Sequence, residues 1–116
     1  MDKSKWVWMP HAAHFICADR CLFRLATYVG GYIVSTIGEM RNIHNHDKIV
    51  FEEIGFGRKY ESFVFFAKKQ KDKCGCQYVI DMDKDCEIDS LPANDPETAY
   101  KNHIELCEKW SKKETP

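Results

Sequence analysis

Cys74-Gly75-Cys76 and a His103-x3-Cys107 pair further along the chain are the residues best suited to hold a metal. A Cys-Gly-Cys turn brings two thiolates together on a loop, and a His-x3-Cys pair on a helix projects two further ligands from one face. A loop and a helix meeting in this way make a tetrahedral zinc site, and soft sulfur ligands with one imidazole suit zinc best among the common cations. The competing reading is structural: His103 and Cys107 both fall near the centre of an apolar helix face, and unpaired cysteine is among the most buried residue types. A weaker second set is His11-x2-His14-x2-Cys17-x3-Cys21. On a helix His14, Cys17 and Cys21 would share a face by their i, i+3, i+7 spacing, but Cys21 also opens a strand and cannot easily do both. A merged site drawing Cys17 or Cys21 toward Cys74 and Cys76 is a further arrangement the sequence leaves open.

Catalysis has thinner support. His44-Asn45-His46-Asp47, with Glu52, Glu53 and Glu61 nearby in sequence, could bind a catalytic metal or provide a base. That is the chemistry of a metal-dependent hydrolase or nuclease, and the His11/His14 pair could serve the same end. None of these strings matches a motif with a mechanism, and solvated loop residues are the plainer account. Asp81-Met82-Asp83-Lys84-Asp85 has the opening of a calcium-binding EF-hand loop, but Cys86 stands where that loop needs glycine and Pro92 where it needs glutamate. Trp6 and Trp8, preceded by Lys3 and Lys5, could stack nucleic-acid bases; a first strand pinned by two tryptophans explains them more simply. A redox-sensing dithiol at Cys74 and Cys76 is a third class of reading.

The background to these residues is ordinary. In 116 residues there are six cysteines and five histidines, 44% hydrophobic and 30% charged residues, and a formal charge of -1. Such a balance gives no general attraction to nucleic acid or to an anionic membrane. The apolar residues near the start are interrupted by Pro10, His11 and His14, so no signal-type segment is expected. No window approaches the roughly 18 apolar residues of a membrane-spanning helix. A cytoplasmic location is the expectation, and thiols stay reduced there. Had a signal been trimmed, the six cysteines could instead form bridges.

The elements that must position these residues follow from pattern. Cys21 to Ile37 reads as a hairpin in which Gly30-Gly31 supplies the turn, so that Val29 faces Tyr32, Thr27 faces Val34 and Leu25 faces Thr36. Gly38 to Asp47 is polar and aperiodic, a loop. Lys48 to Glu53 and Tyr60 to Lys68 form a second strand pair around Gly55-Phe56-Gly57, with Phe63 to Ala67 apolar on both faces as in a central strand. Gln77 to Met82 is a fifth short strand. A C-terminal helix starts with Asn94 or Asp95 as N-cap and Pro96 in the first turn, and carries Ala99, Tyr100, His103, Ile104, Cys107 and Trp110 on one side. His11 to Arg20 could add a short helix. The expected fold is α+β: a single domain over residues 1–116, with a small antiparallel sheet of about five strands and the C-terminal amphipathic helix packed on it.

The strings PHAAHF, CLFRLATYVGGYIVSTIGE, EEIGFGRKYESFVF and HIELCEKW resemble a group of small uncharacterised proteins encoded by bacteriophages and prophages. The resemblance covers most of the chain and carries no catalytic residue with it. It implies context: a small phage protein without enzyme motifs acts by binding a host protein in the cytoplasm of the infected or lysogenic cell. The expected function is therefore a non-enzymatic interaction protein with a structural zinc on Cys74, Cys76, His103 and Cys107.

Overall fold

Gly30 and Gly31 both have positive φ, which a two-residue hairpin turn demands and which side chains resist. They join β2 (Cys21–Tyr28) to β3 (Tyr32–Arg41) in the expected register, with Leu25 opposite Thr36 and Thr27 opposite Val34. The computed structural model describes residues 1–9, 21–41, 51–54, 57–71, 76–81, 84 and 87–113. Around the hairpin an antiparallel sheet builds in the order β1-β2-β3-β5-β6, with β4 also paired to β3 and β7 to β5. β1 (Val7–Met9) lies on the outer side of β2, while β5 (Tyr60–Lys69) lies beside β3. β7 (Asp89–Ala93) and β6 (Tyr78–Ile80) share the other edge of β5, one beside each half.

α1 (Pro96–Ser111) begins where Asp95 accepts hydrogen bonds from the Thr98 backbone N–H and hydroxyl, both at 2.8 Å. It packs on the sheet face that carries Thr27, Val29, Tyr32, Val34, Thr36, Ser62 and Val64. Near the hairpin turn, Val29, Val34 and Val64 close against Leu106 and Cys107. Each such fully buried apolar side chain contributes roughly 1.5–3 kcal/mol. At the opposite end Ala93 and Ala99 meet Tyr60, whose ring also takes the edge of Phe23. The other sheet face is buried by curl: Tyr28 of β2 stacks on Tyr78 of β6, ring centroids 3.6 Å apart, although β3 and β5 lie between them in the sheet. That curvature encloses Ile33, Phe65 and Ile80.

The α+β expectation holds, and the central position of Phe63 to Ala67 with it. Three details differ. Phe51–Glu52 (β4) pairs with Met40 and Arg41 at the end of β3, not with β5; the Ile54 N–H to Arg58 carbonyl bond, 2.8 Å, and the Gly57 N–H to Glu53 carboxylate bond, 3.1 Å, turn the chain back toward β5. β7 was not visible in the sequence because Pro92 interrupts it; at the sheet margin the missing N–H costs no ladder bond. On α1 the packed side is rotated: Tyr100 is 51% exposed and Leu106 is buried in its place. The sheet-facing line runs 99, 103, 106–107 and 110, and position 100 falls at its margin. The proposed helix over 11–20 lies outside the described residues.

Candidate functional site

Thr27, Thr36 and Ser62 come from three adjacent strands and point to the helix side, as the alternation of a strand and the registers Leu25 to Thr36 and Thr36 to Ser62 require. His103 of α1 descends onto them. Its Nε2 lies 2.8 Å from the Thr27 hydroxyl and its Nδ1 lies 2.6 Å from the Thr36 hydroxyl, which is itself 2.6 Å from the Ser62 hydroxyl. Cys107, one helical turn on, hydrogen-bonds to Thr27. His103 and Cys107 are both 0% exposed. The result is a continuous polar chain, Cys107–Thr27–His103–Thr36–Ser62, threaded through the core.

A neutral imidazole has one donor and one acceptor nitrogen, and a hydroxyl can give one bond and accept another. If the thiol donates to Thr27, Thr27 donates to Nε2, Nδ1–H donates to Thr36 and Thr36 donates to Ser62, every link is filled in one direction. The opposite tautomer fills the same links in reverse. An imidazolium would be a buried charge with no carboxylate against it among the described residues, and burial holds the His103 pKa down to about 4. Burial likewise pushes the Cys107 thiol up to about 12, with the Thr27 hydrogen bond pulling weakly the other way. These shifts are opposite to those of an activated Cys–His pair, in which the thiolate must be favoured. The arrangement satisfies polar groups and fixes how α1 sits on the sheet.

Trp8 of β1 covers His103 from outside, ring centroids 5.4 Å apart and planes tilted 35°, while remaining 47% exposed. At the other end of β3, Glu39 takes φ +54, and its carboxylate accepts a 2.8 Å bond from the Tyr60 hydroxyl. Burial and this carboxylate push the Tyr60 hydroxyl up to about 12. A Cβ on Gly38 would lie 1.9 Å from the Tyr60 ring, so the ring sits directly on the Gly38 backbone.

The expected zinc set is divided by this geometry. Cys74 lies outside the described residues, Cys76 is half-buried between β5 and β6, and His103 and Cys107 are neighbours in the core. A metal on His103 would have to displace one of the two threonine hydroxyls. Among the described residues no group of three or more His, Cys, Asp or Glu side chains is placed to hold a metal ion. In the second set, His14 and Cys17 are outside the described residues, and Cys21 is a buried member of β2 opposite Met40. His11, His44 and His46 are outside them too, whereas Glu61 is buried in β5 with Arg58 at 3.8 Å. Sequence reasoning singled out His103 and Cys107 but missed their partners; Thr27 and Thr36 carried one signal, a polar residue on an otherwise apolar strand face. Among the described residues, no helix is long and apolar enough to cross a membrane. Comparison of the chain with protein-family models, with curated proteins and with solved structures gives no match.

Proposed function

We propose that this chain is a non-enzymatic interaction protein of the phage-encoded type its sequence resembles, and that it binds a host protein by strand addition along β1. The observation that carries this reading is the placement of Val7 and Trp8. β1 is the terminal strand of the sheet order, its outer edge has no partner strand among the described residues, and Val7 and Trp8 are 41% and 47% exposed. An open edge supplies main-chain donors and acceptors to an extended segment, and alternate side chains supply specificity. Trp8 would be the aromatic anchor, a residue type that carries binding energy at interfaces. The sealing of His103, Cys107 and Ser62 in the core supports the non-enzymatic part, since none of these nucleophile or base types faces a surface where substrate could reach it. The structural zinc expected from Cys74, Cys76, His103 and Cys107 competes with the threonines for the same imidazole, and the hydroxyl arrangement is the one favoured here.

The test is affinity capture from a bacterial host extract with the natural chain, Val7→Lys and Trp8→Ala, each shown by melting to be folded. A protein retained by the natural chain and lost from both variants supports the reading. Equal retention by all three, or no retained protein together with metal-dependent phosphoesterase activity lost on His44→Ala or His11→Ala, overturns it in favour of a hydrolase or nuclease.

A further inference from the structure

At the hairpin end of the molecule, lysines sit over aromatic rings. Lys3 Nζ lies 5.6 Å from the Trp6 ring centroid, Lys84 Nζ 5.4 Å from that of Phe66, and Lys109 and Lys113 5.7 and 5.6 Å from that of Trp110. Tyr32 links these rings, with centroids 5.0 Å from Trp110 and 5.7 Å from Phe66, and Trp6 belongs to the same core cluster. Four ammonium groups therefore share one pole of a chain whose formal charge is -1, with Asp2, Asp81 and Asp89 at the same end. Asp89 engages Lys109 at 2.8 Å; Lys3, Lys84 and Lys113 have no carboxylate partner among the described residues. The buried Trp6 indole N–H likewise has no acceptor among them.

We infer that this pole is a binding site for an acidic polypeptide segment. The cation–π contacts hold in place three ammonium groups that have no carboxylate partner among the described residues, which reduces the ordering cost of binding. Trp6 is buried, Phe66 and Trp110 are half-buried, and all three already face lysines, so they offer little free stacking platform of the kind single-stranded nucleic acid uses. Ammonium groups without stacking surfaces suit carboxylates. The inference goes beyond strand addition at β1 and rests on different side chains.

The test is a titration of the full chain, followed by tryptophan emission, with a polyglutamate peptide and with oligothymidylate of equal charge. Saturable polyglutamate binding is expected, weakening as salt rises and about tenfold weaker in Lys3→Gln/Lys84→Gln/Lys113→Gln. Each single Lys→Gln variant should weaken it in part, so a folding defect in the triple variant would not hide the effect. Lys101→Gln, near the start of α1, should leave binding unchanged. Absence of polyglutamate binding, binding indifferent to the three lysines, or tighter lysine-dependent binding of oligothymidylate would overturn the proposal.

Discussion

His103 is the residue at which sequence and structure diverge most in meaning. Its type and its spacing to Cys107 suit a zinc ligand, yet both ring nitrogens meet threonine hydroxyls at 2.8 and 2.6 Å. The pH consequence has a definite sign. With the folded pKa near 4 and the ordinary value at 6.5, the unfolded chain binds the extra proton between those values. Stability from this group is fully present above pH 6.5, falls as pH drops toward 4, and levels off below, an overall loss of about 3 kcal/mol. Urea unfolding at a series of pH values should show that slope, and His103→Asn should lack it. Gly38 gives a second residue-scale prediction. Gly38→Ala drives a methyl into the Tyr60 ring and should cost about 3 kcal/mol; Gly38→Ala with Tyr60→Ala should cost clearly less than the two single changes added together, because the clash is removed. Little of this could be read from the sequence: Thr27 and Thr36 stand out only as polar residues on an apolar strand face, and Ser62 joins them only once β5 is placed beside β3.

At the scale of elements, legibility followed local determinants. Gly30-Gly31 fixes the hairpin register through backbone conformation alone, and Asp95-Pro96 fixes the start of α1, so both could be read directly. The rotation of α1 could not, because Tyr100 and Leu106 flank the packed side and only the sheet decides between them. β7 was hidden by Pro92, yet it anchors the far end of α1: Asp89 accepts hydrogen bonds from Lys109 Nζ and Trp110 Nε1, both at 2.8 Å. Burial raises the Asp89 carboxyl, but these donors outweigh it and hold it below the usual carboxylate value. Asp89→Ala should destabilise by about 1 kcal/mol, a partly exposed charge-assisted pair being worth no more, and should change Trp110 emission. Its contribution is present above the unfolded carboxylate pKa and lost as pH falls below it, so it separates from the His103 slope at higher pH.

For the whole molecule, the α+β architecture was legible because the hairpin strands, β5 and the helix announce themselves by period. The curl was not, since it depends on Tyr28 and Tyr78 meeting across two intervening strands. That curl and α1 bury the two faces, and His103, Cys107 and Cys21 become part of the interior. On the proposed reading, interaction belongs to the margins, the β1 edge with Trp8 and the lysine-bearing pole beside the hairpin. The most direct test of this division is the nitrogen NMR spectrum of the His103 imidazole, followed from pH 7 to pH 4 in the full chain purified without chelator, with and without added zinc. The expected result is one protonated and one bare nitrogen, no titration until the pH approaches 4, and no response to zinc. Titration near pH 6.5, or a zinc-bound nitrogen that reverts on chelation, would contradict it.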